Sequence, residues 1–84
     1  MRSYGQYCGL ARALDVVGER WSLLVVRELL DGPRRYNELG SGLPGIASNL
    51  LVERLRSLEA DGVIRRLEDG RYALTSWGQD LHEA

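Results

Sequence analysis

The residues able to do chemistry lie between Arg34 and Arg71. This span holds Arg34, Arg35, Arg54, Arg56, Arg65, Arg66 and Arg71, seven arginines against six carboxylates. All 11 basic residues of the chain are Arg and none is Lys. A guanidinium offers a flat fork of donors that matches phosphate oxygens and the edge of guanine, whereas an ammonium acts as a point charge. Within the span, "ASNLLVERLRSL" carries Leu51, Leu55 and Leu58 at helical spacing, supported by Leu50. They form an inward stripe, which leaves Ser48, Asn49, Val52, Glu53 and Arg56 on the opposite face. Asn can pair bidentately with adenine, Glu can accept from cytosine, Arg can fork onto guanine and Val can meet a thymine methyl. The blander reading of this face is a solvated helix surface.

Other chemistries find little support. Cys8 is the only thiol, so no intrachain disulfide can form, and a secreted disulfide scaffold is not expected. Cys8 and His82 stand at opposite ends and have no metal-ligand spacing, so no metal is expected. His82 has no nucleophile to serve, no glycine-rich phosphate loop follows a strand, and the carboxylates are scattered. Neither an enzyme nor a cofactor is expected. No apolar run approaches the roughly 20 residues that span a bilayer, and "MRSYGQYCGLA" lacks the apolar core of a signal peptide. A cytoplasmic location is the expectation. The composition, 44% hydrophobic and 27% charged, is that of a globular chain, and 84 residues are enough for one domain with a modest core. The formal net charge is -1, so any basic footprint has to arise when folding separates arginines from carboxylates.

The elements that must position these residues can be read from periodicity and punctuation. Leu10, Leu14 and Val17 predict a first helix over 9–18, with Gly18 as its stop. Trp21, Leu24, Val25 and Leu29, widened by Leu23, Val26 and Leu30, predict a central core helix over 20–31 that ends at Gly32 and Pro33. A short extended step leads to a two-turn helix over 36–42, and "GSGLPG" breaks it. The amphipathic helix follows over 47–61. Gly62 suits a Schellman stop, in which Val63 meets Leu58. "VIRRLEDGRYALT" predicts a hairpin over 63–74. A two-residue Asp69-Gly70 turn would pair Arg65 with Leu74. A three-residue Glu68-Asp69-Gly70 loop pairs Ile64 with Leu74 and Arg66 with Tyr72, and is favoured because register follows the buried face. A last helical stretch over 76–84 begins at Ser76, a candidate cap. The expected fold is therefore mainly α with a small β-hairpin wing, the winged helix-turn-helix arrangement in a single domain over 1–84.

Three stretches, "ALDVVGERWSLLVVREL", "GPRRYNEL" and "RLRSLEADG", together with "YALTSWGQDL", resemble the HxlR-type regulators, winged-helix transcription factors related to MarR proteins. The resemblance runs from Cys8 to about Leu81. It implies a bacterial DNA-binding regulator, more specifically a repressor, acting as a homodimer on an inverted repeat of double-stranded DNA. Carried over by position, it puts base contacts on Ser48, Asn49, Val52, Glu53 and Arg56. Phosphate contacts fall on Arg34, Arg35, Tyr36 and Arg54, with Arg65, Arg66 and Arg71 in the wing. Arg54, beside Leu55, has an internal ion pair as its alternative role.

The chain departs from the resemblance in three ways. Ala47 stands where relatives often have a capping Ser, a loss of about 1 kcal/mol unless Ser48 takes over. The wing tip is short. The chain also stops at Ala84, where relatives continue into a helix that helps form the dimer. Dimer contacts are therefore expected from Leu10, Leu14, Val17, Trp77 and Leu81, in a dimer weaker than usual. Cys8 is a candidate redox switch, because some family members use an N-terminal cysteine so, and it precedes a helix with Arg12 one turn away. An unreactive cysteine near the dimer surface is the plainer alternative. The competing function is a winged-helix protein-interaction module that does not bind DNA, which the near-zero net charge would suit.

Overall fold

A computed structural model describes the backbone of residues 8–83 and the side chains of residues 18–80. Its elements in order are α1 (Cys8–Leu29), α2 (Tyr36–Gly42), α3 (Ser48–Ala60), β1 (Ile64–Arg66), β2 (Tyr72–Leu74) and α4 (Ser76–Glu83). The fold is mostly helical with one antiparallel hairpin, a winged helix-turn-helix.

The two helices expected over 9–18 and 20–31 are one continuous α1. Glycine stops a helix when it turns to positive φ, and Gly18 does not. Instead Gly18 is buried, and a Cβ there would stand 3.0 Å from Nη1 of Arg54. Gly18 is a packing glycine that lets an α3 side chain approach α1. The helix ends at Gly32 (φ +129), with Leu30 and Asp31 already in the turn. Val25 and Leu29 point into the core, and Trp21, Leu24 and Val26 pack partly against it. Leu23, expected to widen the apolar stripe, is 70% exposed.

Leu39 of α2 and Leu51, Leu55 and Leu58 of α3 complete the helical core. Between the two helices the chain reverses through Gly45 at φ +91, a conformation only glycine adopts without strain. The end of α3 is a complete Schellman motif: Val63 N–H donates to Leu58 O (2.9 Å) and Gly62 N–H to Glu59 O (3.0 Å), with Gly62 at φ +77.

In the wing, Ile64 pairs with Leu74, Arg65 with Ala73 and Arg66 with Tyr72, the register of the three-residue loop. Gly70 N–H donates to Leu67 O and Leu67 N–H to Arg71 O, and Gly70 at φ +92 closes the tip. The step before α2 joins the same sheet: Arg34 and Tyr72 exchange both backbone hydrogen bonds, at 3.0 and 2.7 Å. The cap of α4 is Thr75 rather than Ser76. Its Oγ1 accepts from Gly78 N–H (3.0 Å) and donates to Gly62 O (2.6 Å), so one hydroxyl ties α4 to the stop of α3.

Candidate nucleic-acid interface

The outward face of α3 is as its periodicity indicates. Leu51, Leu55 and Leu58 are buried, Ser48, Asn49, Glu53 and Arg56 are exposed, and Val52 is half-buried. The helix begins at Ala47, which supplies no side-chain cap. Ser48 is the first helical residue and does not take over that role. Its hydroxyl and the first N–H groups of α3 are left for another acceptor or donor.

Tyr36 at the start of α2 donates its hydroxyl proton to Ser48 O (3.2 Å), which joins the first turns of α2 and α3. A concavity of about 390 Å³ opens there, with Asn37, Ser41 and Ser48 among its lining residues. Asn37 and Ser41 were not singled out by sequence. The α3 stripe repeats often enough to announce itself, and a two-turn helix does not.

The seven arginines of the span separate. Adjacent residues in extended backbone point to opposite faces, so Arg34 and Arg35 cannot act as a pair. Arg34 turns back to the end of α1, where its Nε donates to Glu28 O (3.5 Å) and its Nη2 lies 4.0 Å from Asp31. Arg54, only 21% exposed, lies against Gly18 and pairs with the exposed carboxylate of its neighbour Glu53 at 3.2 Å. Arg66 stacks over the Tyr72 ring, 5.3 Å from its centroid. Arg34, Arg54 and Arg66 therefore each have a contact within the protein, with the end of α1, with Glu53 and with the Tyr72 ring.

By the same alternation, Arg35, Arg65 and Arg71 share the other face of the wing sheet. Arg35 reaches the wing tip, where its Nη1 donates to Asp69 O at 2.8 Å. Its backbone N–H donates to Glu38 Oε1 (2.8 Å), half of a capping box, since Arg has no acceptor with which to supply the other half. Arg71 donates to the Asp69 carboxylate through its backbone N–H (3.0 Å) and Nε (2.7 Å). The backbone hydrogen bond from Arg71 is the main cause that holds the Asp69 carboxyl below its ordinary value of 3.8, so it is anionic at neutral pH. Among the described residues, Arg56 and Arg65 join no ion pair.

Arg35 is thus bonded to the wing tip and Tyr36 to Ser48, beside the exposed side of α3. A second, apolar feature lies elsewhere. A groove of about 660 Å³ is lined by Leu23, Val26 and Leu30, by Leu58 and Val63, and by Gly78 of α4. Trp77 of α4 is 52% exposed. The side chains of Cys8, Leu10, Leu14, Val17 and Leu81 lie outside the described residues. Leu23 was missed as a surface residue, although Glu19 and Arg27 one turn to either side placed it in a polar stripe. Among the described residues, no group of His, Cys, Asp and Glu could hold a metal, and no helix is long and apolar enough to cross a membrane.

Comparison with known proteins gives one consistent result. The family profile described as HxlR-like helix-turn-helix matches residues 16–84. An uncharacterized HTH-type transcriptional regulator of Synechocystis sp., sll1512, is 42% identical over 83 residues, covering 92% of this chain and 62% of that protein. The quinone-bound structure of YodB from B. subtilis superposes with a TM-score of 0.74 at 33% identity, covering 89% of this chain and 84% of YodB. A transcriptional regulator of the MarR family from Enterococcus faecalis V583 superposes with a TM-score of 0.72 at 32% identity, covering 99% of this chain and 80% of the other. The chain spans between 51% and 62% of the length of the first curated relatives it matches.

Proposed function

This chain belongs to the HxlR-like helix-turn-helix family, and on that premise we propose that it binds double-stranded DNA in a sequence-specific way as a transcriptional regulator. The observation that carries the reading is the exposed face of α3 lying beside the wing, with Arg35 bonded to the wing tip and Tyr36 to the start of α3. A helix of this kind enters the major groove while neighbouring segments hold the backbone. Ser48, Asn49, Val52, Glu53 and Arg56 read base edges. Arg35, Arg65 and Arg71 supply phosphate contacts, and Tyr36 steadies the start of α3. Arg34, Arg54 and Arg66 act mainly by holding the frame.

The chain works as a homodimer on an inverted repeat, in the cytoplasm, and represses by occluding a promoter. Exposed Leu23 and Trp77 support a partner surface on α1 and α4, to which the sequence adds Leu10, Leu14, Val17 and Leu81. Cys8 is its candidate redox switch, a reading supported by the likeness to quinone-bound YodB. Operator affinity unchanged by quinone would remove that role.

Selection of genomic fragments by the purified protein at two salt concentrations tests the central reading. An enriched palindrome is expected, bound more weakly at the higher salt. No enrichment and no salt dependence would make the protein-interaction module the better account.

A further inference from the structure

We propose that Asp69 is a specificity-determining residue, whose carboxylate holds the wing arginine Arg71 back from phosphate and so keeps affinity for arbitrary DNA low. The inference rests on the duplex-DNA reading above and concerns a residue that neither the helix face nor the resemblance singles out. Asp69 sits at the three-residue tip of the wing. Its Oδ2 accepts from Arg71 Nε at 2.7 Å, and its Oδ1 accepts from Arg71 N–H at 3.0 Å. Its carbonyl accepts from Arg35 Nη1 at 2.8 Å. One acidic residue therefore engages two of the three arginines on the outward face of the wing.

A phosphate oxygen that takes Arg71 Nε has to displace the carboxylate. A phosphate that reaches Arg35 arrives beside the same anion. An exposed ion pair of this kind adds little to folding stability, so its effect appears in competition for the guanidinium. Backbone affinity is common to all sequences, and base contacts are not. Weakening the first widens the ratio between the specific site and the rest of the DNA. The chain's net charge of -1 fits this arrangement, since general attraction for a polyanion is held down while the reading face of α3 is left open.

The test measures binding of the full chain to a random-sequence duplex across a range of salt, with Asp69→Asn compared with Glu68→Gln. Asn keeps an acceptor for Arg71 N–H and suits a turn. Glu68 is an exposed neighbouring carboxylate with no ion pair among the described residues, so its variant removes the same formal charge without freeing an arginine. Asp69→Asn is expected to bind more tightly, with a log–log salt slope steeper by about 0.9 for one added phosphate contact, so that its advantage is about threefold larger at 50 mM than at 200 mM salt. Glu68→Gln is expected to keep the wild-type slope. The gain should vanish when Arg71→Ala is added to Asp69→Asn.

Equal gains in the Asp69 and Glu68 variants would assign the effect to net charge and overturn the proposal. So would an Asp69→Asn variant whose slope is unchanged while the wild type binds duplex with a measurable slope; the DNA reading would survive that result. A wild type with no salt-dependent duplex binding would remove the DNA reading itself, and this inference with it.

Discussion

Arg35 and Arg56 are both exposed guanidinium groups, but their settings differ. Arg56 lies on the open side of α3 with no ion pair among the described residues. Arg35 is tied to the wing tip and sits at the entrance of α2, where a backbone phosphate would pass. Arg56→Ala should therefore cost about 1–3 kcal/mol on the selected operator and relax preference at one base pair. Arg35→Ala should weaken all sequences alike and lower the salt slope by about 0.9. Titrations of both variants on operator variants at several salt concentrations separate the two roles. Identical behaviour would sink the division between reading and holding. The polar face of α3 was legible because a thirteen-residue helix repeats its pattern often enough to be read. The partition of the arginines was not, because it depends on which strand face each residue occupies and on what lies behind that face.

The termini of the elements decide how they meet. Helix α3 starts at Ala47 without a side-chain cap, so Ala47→Ser should raise stability by about 1 kcal/mol, seen as a higher urea midpoint. An unchanged midpoint would mean that the first N–H groups of α3 are already satisfied. Helix α4 crosses the stop of α3 so closely that a Cβ on Gly78 would collide with the Val63 carbonyl. Gly78→Ala should accordingly cost roughly 1–3 kcal/mol, because backbone at that distance has to move. Its midpoint should fall with no change in denaturant slope. The Schellman stop at Gly62 was readable from sequence, since glycine, Val63 and Leu58 stand at the offsets that the motif requires. The continuity of α1 through Gly18 was not. A glycine that stops a helix and one that admits a neighbour look alike until Arg54 is seen against it.

At the scale of the whole molecule, Leu23 and Trp77 leave apolar area in solvent on α1 and α4. A second copy would cover such area, and two reading helices would then meet an inverted repeat with matching symmetry. Sedimentation should show self-association at tens of micromolar, and monomer alone would defeat the dimer. Leu23→Glu should weaken that association by about tenfold or more, since burying one leucine contributes about 1.5–3 kcal/mol. A Leu23→Glu variant that associates as the wild type does would place the partner surface elsewhere.

The hairpin register, the stop of α3 and the outward face of α3 follow from the sequence by itself. Each is a local pattern, set by residues within a turn or a strand pair of one another. Tertiary structure alone decided that Gly18 packs rather than stops a helix and that Asp69 gathers Arg35 beside Arg71 at the wing tip. Both depend on contacts between residues far apart in the chain: Arg54 lies against Gly18, and Arg35 meets Asp69 across 34 positions. Periodicity carries no information at that range. It appears only once the core has closed and brought α2 beside the wing.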